Sequence, residues 1–176
     1  MRHILRRHDW LADDWRHLGE EAAGGDALIV PLAQLRADPE RWRARPGRLG
    51  VRLAPHEQVE DLAAELPLLS LVAVEFPTAG DGRGYSAGRL LRERLGFTGE
   101  LRAVGAGVRQ DQVFLLARCG FDAIELAPGE DAEAARRALQ RYDVAYQPGS
   151  AEVALRRQRF FASPARPKVT GHSADG

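Results

Sequence analysis

The residues best suited to chemistry lie in the stretch 80–94, which reads GDGRGYSAGRLLRER. Glycines let backbone N–H groups approach a ligand, and the first turn of a helix carries a partial positive charge. Arginine adds forked, charged hydrogen bonds to an anion. The stretch therefore predicts a small-oxyanion site in which Ser86 caps the helix and Arg89 lies near the mouth. An equally weighted alternative is a tight turn in which Asp81 hydrogen-bonds its own backbone.

A second loop has the same layout. The stretch ELRAVGAGVRQDQ at 100–112 reads as a strand, a glycine turn and the start of a helix. Because parallel strands end at the same sheet edge, we expect the 105–112 loop to lie beside the 78–86 loop. The catalytic candidates there are Asp81, Asp111 and Tyr85. The candidates for anion or substrate binding are Gly82, Arg83, Gly84, Ser86, Arg89, Arg109 and Gln112.

Several familiar site types are not supported by the sequence. The glycines run G-x-G-x-G, so neither a nucleotide triphosphate motif nor a dinucleotide motif is present, and the identity of any cofactor stays open. Cys119 is the single cysteine, which argues against a Cys-rich metal site and favours a buried structural thiol. Glu75 and Glu125 fall near predicted strand ends, where an acid could act as a base or a metal ligand. We expect no histidine beside them and therefore no metal site, since the histidines lie in one loop or near the termini.

Composition narrows the classes of partner. The chain of 176 residues has 25 basic and 25 acidic side chains, and this balance argues against nucleic-acid or anionic-membrane binding. No apolar run approaches the roughly 20 residues of a membrane span. The first residues lack the apolar core of a signal peptide, so a cytoplasmic location is predicted.

The elements that must position these residues alternate along the chain. Apolar runs predict about six strands, at 26–32, 48–54, 69–77, 100–106, 121–127 and 143–149. Amphipathic segments between them predict helices at 56–67, 85–96, 109–120 and 131–142. Repeated βα units imply mainly parallel strands, so the expected fold is one α/β domain with an open sheet or an incomplete TIM-like barrel.

The ends of the chain differ from this α/β domain, which is assigned to 26–149. Residues 1–25 read as an N-terminal arm or hairpin. A helix is predicted at 150–161, and Phe160 and Phe161 at its end suit packing on a neighbour, so a homo-oligomer is one option. The small and polar tail at 162–176 is predicted to be disordered.

The assembled stretch resembles a known bacterial family. Its signature here is FP…DGRGYS…RLLRERLGF.GELRAVG…DQ…L.RCGFDA, within residues 72–126. This is similar to domain-of-unknown-function family nine hundred thirty-four, whose members are often labelled oxidoreductases involved in sulfite reduction because of neighbouring genes. One departure is Ala106, where the family commonly has an acid, so no catalytic role is assigned there.

Two roles remain open: the resemblance implies the first, and the residues of the two loops suggest the second. The first is an accessory protein or oxidoreductase of assimilatory sulfite reduction that binds sulfite reductase, its electron donor or a small oxyanion. The second is an enzyme outside sulfur metabolism that acts on a small anionic substrate. In that enzyme Arg83 and Arg109 would hold the anion while Asp81 or Asp111 moves a proton.

Overall fold

One eight-stranded sheet organises the protein. The computed structural model describes residues 3–6, 9–20 and 26–140, and the fold is reported for these ranges. The strands are β1 (His3–Arg6), β2 (Asp9–Ala12), β3 (Arg16–His17), β4 (Ala27–Pro31), β5 (Arg48–Leu53), β6 (Leu71–Glu75), β7 (Glu100–Val104) and β8 (Ala123–Ile124). Their order across the sheet is β2-β1-β8-β7-β6-β5-β4-β3.

The pairing is mainly parallel, as predicted. Strands β3 to β8 pair in sequence order and in parallel, whereas β1 runs antiparallel to both β8 and β2. The five predicted strands that fall within the described residues are all present. The sixth, at 143–149, lies outside the described residues, as do the predicted helix at 150–161 and the tail at 162–176.

The connection between the two edge strands shows that the sheet is curved. Ala12 ends β2 at one edge, and Arg16 begins β3 at the other. Four residue steps reach at most about 14 Å, whereas eight flat strands would extend over roughly 34 Å. The sheet must therefore curl until its edges approach each other, which gives an open, partial barrel and not a flat sheet.

The helices cover the convex face of this curved sheet. They are α1 (Leu32–Ala37), α2 (Pro39–Arg43), α3 (Arg83–Arg89), α4 (Val113–Arg118) and α5 (Ala132–Gln140). A π-helical turn at Leu90–Arg94 extends α3, and a 3₁₀ turn at Gln110–Gln112 leads into α4. Their buried side chains form the main core with alternate strand residues such as Val51, Val72, Val74 and Leu101. Sequential strand order with helices on one face is the winding of a βα barrel.

One predicted helix is wrong. Residues 56–67 contain a 3₁₀ turn at Val59–Leu62, and a second follows at Leu66–Leu68. Pro67 lies inside the second turn, and a proline disfavours the α conformation of the residue before it. The apolar positions Val59, Leu62 and Leu66 are nevertheless buried, whereas Ala63 is exposed.

The concave face carries a second, smaller core with buried charges beside it. Trp15 packs there with Ile29, Leu71 and Ala73. Gly50 makes room for the indole, because a Cβ at this position would lie 3.1 Å from the Trp15 ring. The N-terminal segment thus fills the concave side of the sheet, which the helices leave uncovered.

Arg102 is the most buried charge on this face. Its Nη1 donates to Asp13 Oδ2 at 2.8 Å, and its Nη2 donates to Glu100 Oε1 at 2.8 Å. Neither Arg102 nor Asp13 has exposed side-chain surface. Glu100 also pairs with Arg6 of β1. These bonds join the segment after β2 and the strand β1 to the centre of the sheet. Within the described residues, no helix is long and apolar enough to cross a membrane.

Candidate functional site

The loops that follow β6 and β7 lie side by side at the carboxyl edge of the sheet, as parallel packing predicts. The Gly107 backbone N–H donates to the Phe76 carbonyl at 2.8 Å. The Gln112 side-chain Nε2 donates to the Ala79 carbonyl at 2.8 Å. We call residues 78–86 and 105–112 together the joined loops. The two bonds connect them into one surface.

Two glycines of the second loop make this close approach possible. Gly105 has a φ of +112°, a conformation that side-chain-bearing residues rarely adopt. At Gly107 a Cβ would lie 2.3 Å from the Thr78 backbone carbon. Any larger residue at Gly107 would therefore push the two loops apart.

The glycine loop binds its own side chains. Asp81 Oδ1 accepts a hydrogen bond from the Arg83 backbone N–H at 3.1 Å and from Arg83 Nε at 2.9 Å. Asp81 Oδ2 accepts from Arg83 Nη2 at 2.6 Å. The hydrogen bond and the positive charge of Arg83 lower the pKa of the Asp81 carboxyl. The Asp81 carboxylate thus occupies the place where a bound oxyanion was predicted. The loop has the tight turn of the alternative prediction, in which Asp81 hydrogen-bonds the nearby backbone.

Helix α3 begins earlier than predicted, and this moves two candidate residues. Its N-cap is Gly82, so the expectation that Ser86 caps the helix is wrong, and Ser86 lies exposed within the helix. Arg89 is the last α-helical residue, six positions or roughly 9 Å beyond Arg83. It pairs with Glu93 at 3.3 Å. Arg89 therefore belongs to the far end of α3 and not to the mouth of the loops.

In the second loop, polar contacts run towards α5. Arg109 Nη2 lies 3.4 Å from Glu130 Oε1, and the Gln110 backbone N–H donates to Glu130 Oε2 at 2.8 Å. Gln112 Oε1 accepts from the Arg109 backbone N–H at 3.3 Å. Asp111 is exposed. Both arginines that were expected to clamp an anion, Arg83 and Arg109, are thus paired with carboxylates of the same chain.

Tyr85 lies between the loops and the core. Its ring packs edge-on against Phe76, with centroids 5.2 Å apart. Burial raises the pKa of the Tyr85 phenol, and the Asp111 carboxylate and the ionised form of Cys119 add to this effect. The hydroxyl therefore stays protonated near neutral pH and can donate a hydrogen bond.

Cys119 is buried, as predicted for a structural thiol. Burial raises the pKa of this thiol, and the nearby Arg89 and Arg118 lower it by less. A thiol with a raised pKa is a poor nucleophile, because the thiolate is the reactive form. Cys119 is therefore not a candidate nucleophile.

A cleft of about 210 Å³ opens beside the glycine loop, on the side of β5. Leu53, Val59 and Leu90 form apolar parts of its wall, and Glu60, Arg83 and Ser86 form polar parts. The sequence predicted a mouth on the β7 side of the loop. The cleft is instead framed by the 3₁₀ segment, which the sequence had assigned to a regular helix.

The structure also brings together residues that the sequence kept apart. His17 Nε2 lies 3.9 Å from Glu125 Oε2, so the expectation that no histidine accompanies Glu125 is wrong. Arg52 Nη2 lies 2.8 Å from Glu75 Oε1, and Arg52 Nε donates to Glu75 Oε2 at 3.1 Å. His17 was set aside because it is near the N-terminus. Only the short strand β3, which pairs with β4, places it on the concave face.

A family comparison agrees with the resemblance seen in the signature. The family model described as "Bacterial protein of unknown function (DUF934)" matches residues 50–155. No curated protein matches the chain. The matched range contains the joined loops and the cleft. It also contains Arg52, Glu75 and Glu125, whereas His17 lies outside it. Because the match covers more than half of the sequence, the chain belongs to the DUF934 family of bacterial proteins.

Proposed function

We propose that the protein serves the sulfite-to-sulfide step of sulfate assimilation as an accessory protein. It binds sulfite reductase or its electron donor through the joined loops. The pathway comes from the resemblance of the signature within 72–126 to a family whose members carry that label. The docking role comes from the geometry of the loops.

The observation that carries the docking role is the bond between the loops. Gln112 donates to Ala79, so two loops that could move separately present one fixed surface. Arg83 and Arg109 keep 64% and 54% of their side-chain surface exposed, and Asp111 is exposed beside them. Fixed charges of both signs at an exposed edge suit recognition of a partner protein by complementary charge.

The alternative, an enzyme that clamps a small anion between Arg83 and Arg109, is supported less. Asp81 makes a two-pronged pair with Arg83, and Glu130 pairs with Arg109. An oxyanion would have to displace a carboxylate that is covalently part of the site and therefore always present. A protein partner has no such requirement, since it can add contacts around the existing pairs.

The test is copurification with charge reversal. Tagged wild-type protein should recover sulfite reductase or its electron donor from the cells that produce it. The double variant Arg109→Glu/Asp111→Arg should recover at least about tenfold less, because the positive and the negative charge of this loop exchange places. Arg43→Glu on α2 is the matched control, since Arg43 is also exposed and paired with a nearby glutamate. Circular dichroism checks that the variants fold.

Two results would count against the proposal. Repeated recovery of no sulfur-assimilation protein by the wild type would remove the docking role. Equal recovery by the double variant would show that docking uses another surface. The oxidoreductase version has its own test: purified protein without flavin absorbance and without any response to nicotinamide nucleotides would argue against it.

A further inference from the structure

A cavity of about 520 Å³ opens at the edge of the sheet that β3 forms. This volume falls within the range of roughly 300–1,000 Å³ that is usual for ligand pockets. The walls come from the residue after β3, from β4, and from α2 with the segment that follows it. We call this space the edge cavity, and it is lined by Leu18, Leu28, Arg41, Trp42, Ala44 and Arg45.

The alternation of side chains along the edge strands explains why apolar groups face the edge cavity. His17 is level with the strand residue Ile29, which belongs to the core of the concave face. Leu18 follows His17 and Leu28 precedes Ile29, so both leucines lie towards the convex face. The Leu18 backbone N–H donates to the Ile29 carbonyl at 2.8 Å, which holds Leu18 beside β4. Leu18 is nevertheless 38% exposed and Leu28 is only half-buried, so the protein leaves this apolar surface partly uncovered.

Helix α2 supplies a further wall, and its position is fixed by contacts with its neighbours. The Trp42 side chain is buried and belongs to the main core. Its indole Nε1 donates to the Gln34 carbonyl of α1 at 2.9 Å. At the start of α2, the Asp38 carboxylate accepts from the Arg41 backbone N–H at 3.2 Å. The wall is therefore formed before any ligand binds, which lowers the cost of ordering on binding.

Arg41 brings a positive charge to the edge cavity. Its guanidinium carbon lies 4.9 Å from the centroid of the Trp42 ring, so a cation–π contact favours this position. Within the described part of the chain, the Arg41 guanidinium makes no hydrogen bond and no ion pair. Arg83 and Arg109 of the joined loops differ, because each is paired with a carboxylate. The N–H donors of Arg41 thus remain for a ligand.

The apolar walls and the Arg41 guanidinium together determine the class of ligand. Among the described residues, none of those that line the cavity is acidic. An amine would be repelled by the guanidinium, and a neutral apolar molecule would leave its donors unused. A small inorganic anion would leave Leu18 and Leu28 in contact with water. A carboxylic acid with an apolar body matches both features.

We propose that the edge cavity binds a monocarboxylic acid with an apolar body. Arg41 binds the carboxylate, and Leu18, Leu28 and Trp42 contact the apolar body. Trp42 has a second role, since its ring positions the Arg41 guanidinium. The edge cavity shares no lining residue with the joined loops or the cleft, so the proposal does not depend on the docking role.

The test is a calorimetric titration of the full-length wild-type protein with matched probes. Octanoate and phenylpropionate carry both the charge and the apolar body. The matched alcohols lack the charge, the matched amines reverse it, and butanoate and propionate keep the carboxylate with little apolar body.

We expect at least one of the two acids to bind saturably and to raise the melting temperature. Its alcohol and amine should bind at least about tenfold more weakly, because the charge-assisted hydrogen bond to Arg41 is lost. Each buried methylene group strengthens binding by about fourfold, so the acid with the shortened body should also bind at least about tenfold more weakly.

Variants then locate the site, and both positions are exposed, so the variants should fold. Arg41→Gln should weaken binding of the acid by about tenfold or more, so that it binds no better than its alcohol. Arg43→Gln is the matched control, since Arg43 is exposed on the same helix, pairs with Glu40 and does not line the cavity. Leu18→Ala should weaken binding of the acid and the alcohol by the same factor. Its control is Leu115→Ala, an exposed leucine on α4 that should bind like the wild type.

Four outcomes would overturn the proposal. The first is that neither acid binds. The second is that an alcohol or an amine binds as tightly as its acid. The third is that Arg41→Gln binds the acid as tightly as Arg43→Gln. The fourth is a dimer in sedimentation that the acid dissociates, because the edge cavity would then be covered by a second copy of the chain.

Discussion

The joined loops and the concave face use the same residue types in opposite ways. In the loops, Arg83 pairs with Asp81, two residues away, and remains mostly exposed. On the concave face, Arg102 pairs with Asp13, 89 residues away, and neither side chain is exposed. An exposed local pair shapes one turn and contributes little to stability. A buried pair between distant segments determines where those segments can lie. The comparison separates a surface that is available to partners from charges that hold the curved sheet.

The largest effect should come from removing the buried arginine. Arg102→Met leaves Asp13 and Glu100 without the cation that both contact, and a broken buried ion pair typically costs 3–5 kcal/mol, so we expect a loss of about that size. Urea unfolding followed by circular dichroism measures it. The sheet should lose the attachment of its N-terminal segment first.

A double variant sharpens this prediction. Asp13→Asn in the Arg102→Met background removes a buried negative charge that has lost its contact with Arg102, so part of the lost stability should return. Arg83→Met is the matched change in the loops and should leave the free energy of unfolding near that of the wild type. If Arg102→Met loses as little unfolding free energy as Arg83→Met, the buried pair does not hold the sheet more strongly than the exposed pair holds its loop.

The next effect concerns how α3 packs under the loops. At Gly84 a Cβ would lie 2.4 Å from the Phe76 ring, which is confined by Tyr85 and Phe121. Gly84→Ala should therefore destabilise the protein by roughly 1–3 kcal/mol, the usual cost of overpacking. Thermal unfolding of the variant checks the value.

Gly82→Ala is the control for that change. Gly82 has nothing within 4 Å of the added methyl group and an ordinary helical φ of −77°. The free energy of unfolding of the Gly82→Ala variant should stay within about 0.5 kcal/mol of that of the wild type. Equal losses for the two variants would mean that the glycines matter for backbone freedom and not for close packing.

The smallest effect should come from Asp81. Its pKa is lowered in the folded protein by the hydrogen bond and charge of Arg83, so its ionised form favours folding. That contribution is fully present above the ordinary aspartate pKa and is lost as the pH falls through the lowered value. Asp81→Asn should thus lower the stability slightly in the neutral region and match the wild type at low pH, so that the acid limb of the stability profile becomes flatter. An acid limb identical to that of the wild type would show that the pair is absent in solution.

The structural features that depend on residues close together in the sequence were the ones that could be predicted. The runs at 48–54 and 69–77 became β5 and β6. Gly96 and Gly120, which end the predicted helices at 85–96 and 109–120, have the positive φ values typical of a residue at a helix end. The spacing of Val59 and Leu62 predicted burial but not helix type, because a three-residue spacing suits α and 3₁₀ turns alike. Local patterns therefore identified the strands and the joined loops.

Contacts that depend on the curvature of the sheet could not be predicted in the same way. Strand β3 is only two residues long, too short for a periodic pattern, yet it brings His17 to Glu125. Arg102 falls within the predicted strand at 100–106, but only the register of the sheet shows that its side chain lies on the buried concave side of β7. A partial signal was present: Glu75 and Glu125 occupy the ends of apolar strands, where a charged residue is unusual.

Growth of a deletion strain on sulfite compared with sulfide, as the only sulfur source, tests the central claim about function most directly. We predict no growth on sulfite, normal growth on sulfide, and rescue on sulfite by wild-type protein but not by Arg109→Glu/Asp111→Arg. Equal growth of the deletion strain on both sources would contradict a role at the sulfite-to-sulfide step.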